Sequence, residues 1–94
     1  LLYAPSNASP LTFANVRKQN VDQQICTAVA HILREERLKR KLSLNVLAAK
    51  AGLSYQIISY IERELRTPKL DTLVRITSAL EIELSDVLRR AERR

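Results

Sequence analysis

Gly52 is the only glycine in a chain of 94 residues, and it falls between two short runs that each follow a serine. Ser43 precedes Leu44–Ala51, and Ser54 precedes Tyr55–Arg63. Serine is a strong helix N-cap because its hydroxyl accepts a hydrogen bond from a first-turn backbone N–H. Glycine just past a helix takes the left-handed conformation without steric penalty. Together these signals predict a helix over 44–51, another over 55–63, and a connection of about three residues between them. Helices this short and this tightly joined cannot lie antiparallel. They must cross steeply, as in a helix-turn-helix.

The rest of the chain reads as helical too. One glycine and three prolines are too few for the turns an all-β domain of this size needs. Ile25, Val29, Ile32 and Leu33 recur at i, i+4, i+7 and i+8, predicting a first helix over Val21–Arg40 that Asn20 or Asp22 would start. Its basic end (Lys39, Arg40, Lys41) suits the negative pole of the helix dipole. Thr67-Pro68 breaks the chain, with Pro68 expected in the first turn of a fourth helix over about Leu70–Leu80. A fifth helix, capped by Ser85, carries Val87, Leu88 and Ala91.

The expected fold is therefore all-α, a five-helix bundle occupying residues 21–94, with residues 1–20 as an irregular arm. The arm holds Pro5 and Pro10 together with Leu1, Leu2, Tyr3, Leu11 and Phe13. An ordered arm must dock on its own domain or on a second chain, because otherwise conformational entropy keeps it mobile. It is thus a candidate contact for a protein partner.

Composition excludes several function classes. The longest uncharged apolar-rich stretch, Ile25–Leu33, is about half the roughly 20 residues of a membrane span. LLYAPSNASP has no basic region and no sustained apolar run, so no secretory leader is expected. One Cys and one His support neither a disulfide framework nor a structural zinc site. No metal or cofactor is expected, and a reducing cytoplasm fits. Cys26 and His31 are both read as packing residues of the first helix. Catalysis is not expected: acids are scattered, the His has no nucleophile at helical spacing, and no Gly-rich phosphate loop exists.

The net charge is +6, and residues 34–69 carry nine bases against four acids. A basic excess focused on the middle third of the chain attracts a polyanion such as nucleic acid.

Spacing about Gly52 sharpens this. Ala48 lies four residues before it, where a small side chain lets two helices cross closely. Leu47, Ala51, Leu53, Ile58 and Ile61 fall at positions that face inward across a three-residue turn. The run Leu42–Ile82 contains L-A-x-x-A-G-L-S, I-S-x-I-E, R-T-P and L-x-x-L-x-x-I. It resembles the Cro/Xre-type helix-turn-helix domain of phage repressors, bacterial regulators, restriction–modification controllers and antitoxins.

The resemblance implies a third helix that enters the major groove of double-stranded DNA, its N-terminal residues reading base edges. Tyr55, Gln56, Ser59 and Tyr60 are the base-contact candidates. Gln can bond adenine N6 and N7 together. Phosphate contacts are expected from Ser43 and Ser54 at helix N-termini, and from Arg63, Arg66, Thr67 and Lys69 in the loop after the third helix. Arg37 and Glu62 match an ion pair that orients the reading helix in related repressors. Ile57 either meets a thymine methyl or a partner, or is buried at the core edge.

Related chains dimerise largely through the fifth helix, here Leu84, Val87, Leu88 and Ala91, although the first helix needs part of that stripe. The expected function is a sequence-specific transcriptional regulator, a repressor acting as a homodimer. The alternative is a protein-interaction module of the same fold, an antitoxin or coactivator.

Two departures stand out. Relatives commonly carry Gln where this chain has Leu44. They often carry Gly where Lys41, Glu64 and Glu81 stand, and left-handed backbone would strain those residues. The three helix ends are therefore expected to differ in detail.

Overall fold

The computed structural model describes the backbone of residues 13–94 and the side chains of residues 22–94. Five helices follow in order: α1 (Phe13–Lys39), α2 (Leu44–Ala51), α3 (Tyr55–Glu62), α4 (Leu70–Leu80) and α5 (Leu84–Glu92). There is no strand among the described residues. α1 is the spine, packing against α5, α3 and α4, while α2 packs against α3 and α4.

The core draws on every helix. Ile32 and Leu33 from α1, Leu47 from α2, Ile58 and Ile61 from α3, Ile76 and Leu80 from α4, and Val87 from α5 are all less than 2% exposed. Each such burial contributes about 1.5–3 kcal/mol. Ala48, 4% exposed, sits in the same core, where its small side chain permits the close approach of α2 and α3.

Four boundaries differ from expectation. α1 begins at Phe13 rather than Val21, so residues 13–20 of the expected arm are helical. Pro10 is the last strong breaker before it, and Asn15 and Asn20 are weak helix formers rather than stops. The arm residues before Phe13 lie outside the described residues. α3 ends at Glu62, with Arg63 as its C-cap. Pro68 stands outside α4, ahead of the extended N-cap Lys69. α5 starts one residue early: Asp86 and Val87 donate their N–H groups to the Glu83 carbonyl at 3.1 and 3.2 Å. Glu83, not Ser85, is thereby the N-cap.

The ends of α1 to α4 close identically. After α2, Gly52 is left-handed (φ 68°); its N–H donates to Ala49 O at 3.3 Å, and Leu53 N–H to Ala48 O at 3.0 Å. This two-bond closure satisfies carbonyls that the helix leaves open. Lys41 (φ 58°), Glu64 (φ 62°) and Glu81 (φ 59°) hold the same conformation. The following Leu42, Leu65 and Ile82 donate back to Arg37, Tyr60 and Thr77 at 3.1, 2.8 and 3.0 Å. The expectation that these three ends would differ in detail is overturned. Two backbone bonds at each end outweigh a left-handed penalty of about 1–2 kcal/mol.

That penalty is removable. Lys41→Gly and Glu81→Gly should each raise the unfolding free energy by about 0.5–1 kcal/mol, the relieved strain less the added chain entropy of glycine. Urea midpoints would measure it. Both residues are exposed, so unchanged or lower midpoints would mean the strain is already relaxed.

An ionic cluster fastens α5 to α1. Glu36 is 3% exposed and takes salt bridges from Lys39 at 3.5 Å, Arg90 at 3.1 Å and Arg40. The Arg40 hydrogen bond first, and then that of Arg90, hold its carboxyl below the usual carboxylate range. Glu35 pairs with Arg94 at 2.7 Å.

Candidate nucleic-acid interface

Two serine caps set the angle of α3. Ser43 Oγ accepts from Val46 N–H at 3.1 Å, and Ser54 Oγ from Ile57 N–H at 3.2 Å. The hydroxyl of each serine is thus a cap, while other first-turn N–H groups of α2 and α3 lack intrahelical partners. Ile58 and Ile61 bury one side of α3. At about 100° per residue, Gln56, Tyr60 and Arg63 then project the opposite way.

The base-contact candidates divide in two. Tyr55, 49% exposed, and Gln56 stand free in the first turn, whereas Ser59 and Tyr60 are half-buried. Arg63 holds its guanidinium 5.8 Å from the centre of the Tyr60 ring, within range of a cation–π contact. Ile57 is half-buried and packs on the core. This favours the edge-of-core alternative for that residue. Leu44 likewise packs on the core, and it shares a cleft with Tyr55.

Arg37 and Glu62 come together. Arg37 Nε and Nη2 donate to the two Glu62 carboxylate oxygens at 2.8 and 2.9 Å, and Nη1 donates to Leu42 O at 2.8 Å. Their side chains are 10% and 7% exposed. One guanidinium therefore ties the end of α1, the turn before α2 and the end of α3. The Glu62 hydrogen bond raises the Arg37 pKa above its ordinary value.

The loop after α3 has an anchor that the sequence does not announce. Thr27 Oγ1 donates to Glu64 Oε1 at 2.9 Å, and His31 Nε2 lies 3.1 Å from Glu64 Oε2. His31 is therefore exposed and bonded rather than a packing residue. Cys26 is likewise exposed, in a cleft of about 460 Å³ beside Glu64 and Arg66. Glu64 lies 33 residues beyond His31, so no local pattern could pair them.

Charge is partitioned across the molecule. Lys39, Arg40, Arg90 and Arg94 are engaged by Glu35 and Glu36 on the α1–α5 side. Arg63, Arg66 and Lys69, with Thr67 among them, are exposed. Those three bases form no salt bridge among the described residues. Uncompensated positive charge thus lies beside α3.

The expected dimer residues do not form one free stripe. Val87 and Ala91 are 0% and 4% exposed in the chain's own core, because α5 is the main partner of α1. Leu84 is half-buried, and Leu88 is 36% exposed. Among the described residues no helix is long and apolar enough to cross a membrane, and no cluster of His, Cys, Asp and Glu can hold a metal ion.

No curated protein matches the chain significantly. Among solved structures it is similar to a point mutant of the restriction–modification controller protein C.Esp1396I. The two are 25% identical with a TM-score of 0.67, over 71% of this chain and 87% of that one. The Helix-turn-helix family model HTH_3 matches residues 33–87, α2 to α4 entire with the end of α1 and the start of α5. Spanning more than half of its length, that match makes the chain a member of the Cro/C1-type helix-turn-helix family.

Proposed function

We propose that the chain is a sequence-specific, DNA-binding transcriptional regulator that acts as a homodimeric repressor. The observation that carries this reading is the juxtaposition at α3: a free first turn bearing Tyr55 and Gln56, flanked by the uncompensated Arg63, Arg66 and Lys69. An α-helix fits the major groove, where base edges are distinguishable. The flanking bases and the N-termini of α2 and α3, at Ser43 and Ser54, hold it there through phosphates. A domain that offers DNA a reading surface represses by occupying a site that polymerase must use. The similarity to a controller protein supports a role in transcription control.

One reading helix covers only a few base pairs, so twofold symmetry is the natural way to lengthen the site. With Val87 and Ala91 committed to the core, Leu84 and Leu88 remain on α5 as seam candidates. Selection from random duplexes should return an inverted repeat whose half-sites lie about 34 Å apart, one helical turn. Sedimentation without DNA should give twice the 10.7 kDa chain mass. Failure to enrich any sequence would defeat the DNA reading. A monomer at tens of micromolar (~10–100 μM) that also selects an unrepeated site would defeat the dimer alone.

A further inference from the structure

The flank of α3 opposite the basic loop carries a second cleft, of about 390 Å³, between the last turns of α1 and the start of α2. Arg34, Arg37 and Arg63 line it, and Glu62 is the only carboxylate that does. Arg37 already neutralises Glu62. Arg34 and Arg63 pair with no carboxylate among the described residues. Two positive charges are therefore left over in one concave site. Tyr55 and Ser59 line the same cleft, and a tyrosine or serine hydroxyl can donate to an oxyanion.

The position of this cleft matters as much as its charge. A helix lying in the major groove has a sugar–phosphate backbone on each side. Ile57 points to the side of the loop holding Arg66 and Lys69. Tyr55 and Ser59, four residues apart, point to the side of Arg34. The loop can neutralise one wall of the groove but not both.

We infer that Arg34, on α1, together with Arg63 forms a phosphodiester-binding site for the second backbone wall. The inference rests on the proposed DNA-binding function and extends the DNA-contacting surface onto α1. Arginine suits the task because its planar fork donates to two phosphate oxygens at once. The shared chemistry is recognition of a phosphoryl oxyanion, and a free phosphorylated ligand is the other source of that group.

The test compares the intact chain with Arg34→Ala, Arg34→Lys and Arg66→Ala on a duplex carrying the selected site, at a series of salt concentrations. For each phosphate released, the slope of log affinity against log salt should fall by about 0.9. Arg34→Ala should show that fall, and Arg34→Lys should restore it, since a point charge suffices for counterion release. A duplex with a neutral methylphosphonate at one backbone position on the Arg34 side should weaken the intact chain but not Arg34→Ala. In parallel, inorganic phosphate is titrated into the DNA-free protein while the Ser59 and Tyr55 amide resonances are followed. An unchanged slope for Arg34→Ala, beside a reduced slope for Arg66→Ala, overturns the inference and leaves the DNA reading intact. Saturable phosphate binding with an unchanged Arg34→Ala slope overturns it in favour of a free ligand. A flat salt dependence in the intact chain overturns both. Arg34 is exposed, and unchanged helical circular dichroism verifies that the variants fold.

Discussion

Replacing Arg37 by alanine should destabilise the domain by about 3–5 kcal/mol, the usual cost of removing one partner from a buried ion pair. Glu62 would keep a carboxylate whose side chain is only 7% exposed, now without its two hydrogen bonds. The Leu42 carbonyl would lose its side-chain donor. A domain of this size has about 5–15 kcal/mol of stability in all. The variant should therefore be partly unfolded at 37 °C or close to it. Removing both charges with apolar side chains, Arg37→Met with Glu62→Leu, should recover most of the loss, because no lone charge remains buried. The cycle of Arg37→Ala and Glu62→Ala should give a coupling of roughly 0.5–3 kcal/mol. Additive single effects, or a loss below about 1 kcal/mol for Arg37→Ala, would mean that water replaces the pair. Recovered stability need not bring recovered DNA binding. The guanidinium also fixes where α3 ends relative to α1, and an apolar pair lacks its directional bonds.

Local signals announced the local features of this fold. The Ser43 and Ser54 caps, the Gly52 stop and the small residue at Ala48 each act within one or two turns, and all four stand where their spacing predicts. The Arg37–Glu62 pairing came from the family resemblance, since 25 residues separate the two. Features built from distant residues stayed hidden. Glu36 reads as one more surface acid, and its burial depends on Arg90, 54 positions away. The Glu64 anchor depends on Thr27 and His31 in the same way.

The left-handed ends were hidden for a different reason. Lys41, Glu64 and Glu81 carry a residue-level penalty, and the compensating bonds belong to the backbone of Leu42, Leu65 and Ile82. Side-chain identity says little about such bonds. The start of α1 was misplaced because the apolar pattern begins later than the helix does. Periodicity marks where a helix meets its core, not where its hydrogen bonds begin. The division of the bases was illegible for a related reason. A count of charges in residues 34–69 cannot tell Lys39 and Arg40, held by Glu36, from Arg63 and Arg66 beside α3.

Gln56→Ala should separate reading from holding. Gln56 is exposed in the first turn of α3, on the side away from Ile58 and Ile61, and its amide makes no side-chain bond among those found in the described residues. A glutamine amide can donate to adenine N7 and accept from adenine N6, and such a bidentate contact discriminates by about 1–3 kcal/mol. On the selected site the variant should therefore bind roughly 5- to 150-fold more weakly. On a scrambled duplex its affinity should barely change, because the remaining attraction is to phosphates. The salt slope should stay constant, since no charge is removed. Folding stability should shift by no more than about 0.5 kcal/mol, as for other exposed positions. Titrations of both duplexes, with a urea melt of each protein, measure all four quantities. Equal losses on the two duplexes would make Gln56 a backbone contact. A loss of stability of similar size would instead make it a brace for α3, leaving Tyr55 as the remaining first-turn reader.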